Sequence, residues 1–288
     1  MPDRVHLGIS TCPNDTFAFH AILQQRIDTN GIDFHVELKD VQELNLALLA
    51  GRYDVGKASF HAALRLTNEM VVLPSGSALG FGVGPVLLSH QSQHSPEQMT
   101  AAAHEPTVLC PGELTTASML YRIFHQVGRI EQVVFSEIMP RLEARDSDFG
   151  VCIHEGRFSY QDHGLFLIED LGTTWEHSTS SPLPLGGILA RKSLGHDLLE
   201  RIQTTIRDSI EYALNHRQET VATMKAFAQE LNDEILFAHV DLYVNDWTID
   251  LGQTGREAIR RLEQIAIENG LIAYRNANIE ILESQRTS

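Results

Sequence analysis

Cysteine is scarce in this chain. Cys12, Cys110 and Cys152 are the only three among 288 residues, and none stands in a C-x-x-C pair. An odd, scattered set is neither a disulfide framework nor a cysteine-rich metal site. Basic residues are also few: Lys and Arg total 22 against 38 Asp and Glu, for a net charge of -16. A surface of that sign repels phosphate backbones, so nucleic acid is not expected as a partner. Long apolar runs are missing as well. No segment approaches the roughly 20 residues of a membrane span, and the stretch from Met1 to Ser10 lacks a signal-peptide core. The expectation is a reduced, cytoplasmic protein with no membrane partner and no obligatory protein partner. Disorder of the body is excluded by composition, because 43% hydrophobic and 21% charged residues can build a core. Only Glu283 to Ser288 reads as an untethered tail.

What is present alternates strand and helix. Val5, Leu7 and Ile9 alternate with His6 and Gly8, which predicts a strand. A turn over Ser10 to Asp15 follows, with Asp15 as N-cap of a helix running to about Gln25. Phe34, Val36 and Leu38 predict a second strand, Val41 to Ala50 a helix closed by Gly51, and Asp54 to Ser59 a third strand. A helix from Phe60 and a strand over Met70 to Leu73 come next. The middle repeats the theme, with strands at 85–90, 108–109, 133–135 and 149–154, helices from Thr115 and over 138–144, and a polar irregular loop over 91–105. After a strand at 182–190, helices are predicted over 194–216, 218–227, 232–243 and 255–269. Short strands linked by helices predict an α/β fold with largely parallel pairing. The order fits a two-lobed binding-protein layout. Residues 1–87 and 188–288 make a first α/β lobe with the C-terminal helices, and residues 88–187 a second, inserted lobe. The chain crosses near 85–90 and 183–190, and the ligand is expected in the cleft between the lobes.

Five segments carry groups suited to chemistry. Val151-Cys-Ile-His-Glu-Gly-Arg-Phe158 ends an apolar strand in His154, Glu155 and Arg157. Ligands of parallel sheets sit beyond the carboxyl ends of strands, where an imidazole can take a proton near neutral pH. The alternative is a structural or surface histidine, one of 14. Phe158 occupies the place of the second His of H-E-x-x-H, so no metal is expected there. Cys110-Pro-Gly-Glu-Leu-Thr-Thr-Ala117 delivers Thr115 and Thr116 to a helix start. That is either an anion site or ordinary capping, which needs only one hydroxyl. In Lys57-Ala58-Ser59, Lys57 meets an anion or polarises a carbonyl, or is a solvated Lys beside an N-cap serine. In Ser10-Thr-Cys-Pro-Asn-Asp-Thr-Phe17, Asn14 and Asp15 form the loop, and Cys12, with no local base, reads as a small buried residue. Gly76 to Pro85 is glycine-rich without G-x-G-x-x-G spacing and leads into a strand, which predicts a flexible strand pair or hinge and not a dinucleotide loop.

Together these segments resemble the 1,4-dihydroxy-6-naphthoate synthase family of the futalosine pathway of menaquinone biosynthesis. The likeness runs from Ser10-Thr-Cys-Pro-Asn-Asp-Thr-Phe17 through Asp40-Val-x-x-Leu44-Asn45, Lys57-x-Ser59, Gly76 to Pro85 and Thr115-Thr116. It continues in His154-Glu-x-Arg-Phe158, Pro182-Leu-Pro-Leu-Gly186 and Tyr243-Val-Asn245, with Gly156 where the familiar form has Ser. The resemblance implies a type II periplasmic-binding-protein fold used as an enzyme. Its implied reaction is conversion of cyclic dehypoxanthine futalosine to dihydroxynaphthoate and dihydroxyacetone, a lyase reaction on a small-molecule carboxylate. It implies His154 as proton acceptor, and Lys57, Ala58, Ser59, Thr115 and Thr116 as substrate contacts; Asn14 and Arg157 lie in its motifs and join them. Carbon-skeleton cleavage followed by aromatisation needs a base next to a carbonyl, and neither cofactor nor metal is expected. Two other functions share the fold: a solute-binding protein, which needs no base, and chorismate dehydratase, against which the Cys-Pro-Asn-Asp and His-Glu-x-Arg-Phe segments speak.

Overall fold

The structure, a computed structural model, describes residues 2–92, 95–101, 105–154, 156–228, 232–273 and 278–283. Glu155 and most of the expected tail, 284–288, lie outside the described residues. The chain divides into two units, Met1–Gly80 with Pro184–Ser288, and Phe81–Leu183. These divisions fall a few residues from the expected ones at 87/88 and 187/188.

The first unit is built on β1 (Asp3–Ser10), β2 (Ile32–Lys39), β3 (Val55–Ser59), β4 (Met70–Val72) and β5 (Ala78–Gly80). Five further strands belong to the second unit: β6 (Val86–Ser89), β7 (Thr107–Cys110), β8 (Arg129–Gln132), β9 (Phe149–Cys152) and β10 (Phe166–Asp170). With β11 (Leu183–Arg191) the chain returns to the first sheet, whose order is β2-β1-β3-β11-β4, with β5 on β11. Val5, Leu7 and Ile9 of β1 are fully buried, as alternation predicts. They share a core with Leu199, Ile202, Ile206 and Ile210, one stripe of the helix His196–Asn215. Burying each such side chain contributes roughly 1.5–3 kcal/mol. Phe17 anchors a second cluster with Met224, Leu236 and Val240.

Pairing is mixed, not largely parallel. β1 runs parallel to β2 and β3, while β11 is antiparallel to β3 and β4. The second sheet, β10-β6-β9-β7-β8, has parallel β7/β8 and β7/β9 pairs and antiparallel β6/β9 and β10/β6 pairs. Returning strands such as β11 carry the same apolar composition as parallel ones, so composition does not reveal their direction.

Four local expectations change. The first helix begins at Pro13, whose missing N–H suits the first helical position, and Asp15 falls in the first turn instead of capping it. The strand expected at 133–135 is β8, and Phe135 opens the helix Phe135–Glu143. β8 lies at a sheet edge, with both end residues exposed and the middle two half-buried, so it needs no apolar alternation. The stretch 91–105 contains a helix, Pro96–Ala101. The strand expected to end at His154 ends at Cys152.

Candidate functional site

Lys57 sits in β3, where every residue is buried. A buried ammonium without a partner is costly, so the fold must supply one. It is Asp15: Lys57 Nζ lies 2.8 Å from Asp15 Oδ1, with the two side chains only 8% and 3% exposed. Lys57 also donates to the Gly76 carbonyl at 3.0 Å. Gly76 has φ +91°, and a Cβ there would meet Ile188 Cγ1 at 2.4 Å, so this carbonyl position requires glycine. The solvated-lysine alternative is therefore excluded. Asp15 accepts further bonds from Asn14 Nδ2 at 2.9 Å and the Ser10 amide at 3.3 Å. Asn14 Oδ1 lies 3.0 Å from Nε2 of the buried His239, which extends the network to the helix Asp233–Tyr243. Ser59 precedes the helix Phe60–Ala63 without a side-chain cap bond. Its Oγ instead accepts from Asn45 Nδ2 at 3.1 Å, and its amide donates to Asn45 Oδ1 at 2.9 Å. Ala58, fully buried, pairs with Gly187, and a Cβ on Gly186 would meet the Ala58 carbonyl at 2.6 Å. Because β1 and β3 are parallel neighbours, the segments that follow them leave from the same end of the sheet.

The second unit repeats that arrangement with β7 and β9, also parallel neighbours. Two residues beyond β9, His154 takes φ +56°, the left-handed region that non-glycine residues seldom occupy. Its ring is half-buried and meets Phe135 edge to face, with centroids 4.8 Å apart and planes at 70°. β7 leads through Gly112 to Thr115, the N-cap of the helix Thr116–Phe124. Thr115 Oγ1 accepts from the Ser118 amide at 3.2 Å and donates to the Gly112 carbonyl at 2.8 Å. Capping thus describes Thr115, whose hydroxyl proton serves its own turn. Thr116 is buried as the first residue of the helix.

Arg157, expected at the substrate, is engaged within its own unit. Its guanidinium donates to the Gly84 carbonyl at 2.7 Å and to Asp170 Oδ2 at 2.6 Å. Asp170 also caps the helix Leu171–Thr179 by accepting from the Gly172 and Thr173 amides. Gly84 and Gly172 abut backbone to backbone: a Cβ on Gly84 would fall 2.2 Å from Gly172 Cα. In the stretch 76–85, expected to be a flexible strand pair or hinge, Gly76 and Gly84 are packing residues, whereas a Cβ on Gly82 would meet nothing within 4 Å.

Asp170, Phe135 and His125 were not singled out in the sequence, and Asp15 was read there only as a helix cap and loop former. A lysine inside a five-residue strand could have signalled the need for Asp15; nothing local signals the others. His125 Nδ1 lies 2.7 Å from Glu97 Oε1, and its Nε2 lies 3.1 Å from Glu169 Oε2. Burial pulls its pKa down, but the two carboxylates outweigh this and hold it above the ordinary histidine value. His20 has the opposite fate: burial lowers its pKa, and Nδ1 lies 2.8 Å from Thr223 Oγ1. All three cysteines are buried thiols, and burial pushes Cys110 and Cys152 up to about 12, which removes them as nucleophiles near neutrality.

A family model described as menaquinone biosynthesis matches residues 5–268. A 1,4-dihydroxy-6-naphtoate synthase of Thermus thermophilus is 38% identical over 271 residues, covering 94% of this chain and 97% of the relative. A protein of the same name from Streptomyces coelicolor is 36% identical over 276 residues, covering 94% and 95%. Among solved structures, protein AF1704 from Archaeoglobus fulgidus superposes with a TM-score of 0.88 at 26% identity, covering 93% of this chain and 98% of that one. The ligand-binding component of an ABC-type import system from Staphylococcus aureus superposes with a TM-score of 0.70 at 11% identity, covering 98% and 96%. The second likeness establishes the type II periplasmic-binding-protein fold and nothing further.

Proposed function

The chain belongs to the menaquinone biosynthesis family, and from that premise we propose that it is the lyase that converts cyclic dehypoxanthine futalosine to 1,4-dihydroxy-6-naphthoate and dihydroxyacetone, in the cytoplasm and without cofactor or metal. His154 is the general base. The observation that carries this reading is His154 itself: an imidazole just past the end of a buried parallel strand, half-exposed, with its ring backed by Phe135. A neutral imidazole there takes a proton from carbon next to a carbonyl, the step that skeleton cleavage and aromatisation require. The substrate carboxylate is received at the start of the helix Thr116–Phe124, where the helix dipole favours an anion. Asn14, Lys57, Ala58 and Ser59 are the first unit's substrate contacts, with Lys57 held ready by Asp15. Arg157 supports its own unit and is not assigned to the substrate.

The test is direct. Purified protein incubated with cyclic dehypoxanthine futalosine should release dihydroxynaphthoate, and dialysis against a chelator should leave the rate unchanged. His154→Asn should lose turnover by roughly 10²- to 10⁴-fold while still binding substrate. Binding without turnover by the wild type would favour a solute-binding protein instead. A rate that vanishes on chelation and returns with one metal would overturn the metal-free mechanism.

A further inference from the structure

Phe135 is a large apolar side chain in an unexpected place. It opens the helix Phe135–Glu143, yet the core of its unit takes Ile138 and Leu142 from that helix and not Phe135, which stays half-buried. The helix is seated firmly on β9. A Cβ on Gly150 would meet Ile138 Cγ2 at 2.4 Å and Leu142 Cδ1 at 3.0 Å, so glycine in the strand lets the helix approach closely. His154 follows that same strand. The helix therefore holds Phe135 at a fixed place relative to the end of β9, and there its ring meets the His154 imidazole at 4.8 Å and 70°. The left-handed backbone at His154 turns the residue out of the strand direction, and the Arg157 amide holds its carbonyl at 3.4 Å. A ring at the end of a strand, unsupported, samples several rotamers; an aromatic set against it selects one.

We propose that Phe135 is a positioning residue for His154: seated by Gly150 on the strand that ends at the histidine, it fixes the direction in which the imidazole presents its nitrogen to the substrate. This rests on the reading of His154 as the base. Small misplacements of a catalytic group cost large factors in rate, on the order of 10²-fold for about 1 Å. A residue that only positions should lower kcat and leave substrate binding alone.

The experiment uses the full chain, the substrate named above, and four variants: Phe135→Leu, Phe135→Tyr, His154→Asn, and the Phe135→Leu/His154→Asn double variant. Phe135→Leu should lower kcat by about tenfold or more with KM within about twofold, and Phe135→Tyr, which keeps the ring, should recover most of it. The double variant should be no slower than His154→Asn, because a positioning group has nothing to act on once the base is gone. In proton NMR the His154 ring resonances should shift in Phe135→Leu, as the neighbouring ring current is lost. If Phe135→Leu keeps full kcat, if its loss is all in KM, or if the two losses multiply in the double variant, the positioning role is wrong even with His154 confirmed as base. If His154→Asn itself turns over normally, the base assignment fails, and the NMR shift then reports a contact without a catalytic purpose. Should Phe135→Leu prove unstable, the kcat of Phe135→Tyr and the non-additivity of the double variant decide the question.

Discussion

The two units restrain a cation by the same construction. Lys57 is held by Asp15 and the carbonyl of Gly76, and Arg157 by Asp170 and the carbonyl of Gly84. In both cases a glycine-rich turn brings a carbonyl where a side chain would not fit. The difference is burial. Lys57 and Asp15 are 8% and 3% exposed, whereas Arg157 and Asp170 are 19% and 18% exposed. A buried ion pair contributes little compared with an apolar replacement of both partners, but removing one partner strands the other's charge. A less deeply buried pair forgives such a loss more readily, because water reaches part of the remaining charge. Similar hydrogen bonds thus have unequal consequences, and the inequality comes from where the strands lie.

That comparison can be broken by mutation. Lys57→Met should destabilise the protein by about 3–5 kcal/mol, since it leaves Asp15 buried and unpaired. The Lys57→Met/Asp15→Leu double variant should recover much of that loss in urea unfolding. If the single and double variants unfold alike, the pair is not the cause. Arg157→Met should cost less, about 1.5–3 kcal/mol, the range for hydrogen bonds to a charged group. A larger loss than for Lys57→Met would reverse the burial argument. Thr115→Val should cost about 1 kcal/mol, as for the loss of an N-cap. Because its hydroxyl donates to Gly112, the variant should weaken binding of acid and neutral amide analogues of the substrate equally. Selective loss of the acid would make Thr115 an anion contact after all.

The smallest effects concern pH, where the two units differ in sign. His125 has a raised pKa, because two carboxylates together outweigh its burial. Its contribution is complete below the ordinary value of 6.5 and is lost as pH rises through the folded value. Its partners Glu97 and Glu169 are both lowered. For Glu97 desolvation is the largest single influence but is outweighed by the bonds to His125, a backbone amide and Ser95 together, and for Glu169 the bond to His125 leads over desolvation. Their contribution is therefore present above 4.5 and lost as pH falls through the folded values. His20 is lowered by burial, which outweighs Glu219, and so opposes folding as pH falls below 6.5. The stability gap between wild type and His125→Gln should therefore be wider at about pH 6 than at about pH 9, and the gap for His20→Gln should narrow on acidification. Unfolding midpoints at both pH values check this. Gaps that do not change with pH would mean that neither histidine titrates differently on folding.

Much of the architecture was legible in sequence because it follows from local periodicity. Val5, Leu7 and Ile9 announce β1, and Gly51 announces the end of the helix Val41–Leu49; the cap at its other end, Asp40 accepting from the Gln42 amide at 2.8 Å, emerged only in the structure. The motif pattern as a whole was specific enough to indicate the family. The edge strand β8 and the directions of β6 and β11 were not legible, because an edge strand needs little burial and a strand's direction leaves no mark on its composition.

The same division holds for the candidate site. The sequence by itself determined which residue types end the parallel strands: Asn14 and Asp15 after β1, Thr115 and Thr116 after β7, His154 after β9. Only the tertiary structure decided their partners. Lys57 meets Asp15 across 42 positions of chain, Arg157 reaches Gly84 across 73, and Asn14 meets His239 across 225. Such pairings depend on which strands lie side by side and how closely glycines such as Gly76, Gly84 and Gly150 let them approach, a matter of packing that no local pattern encodes.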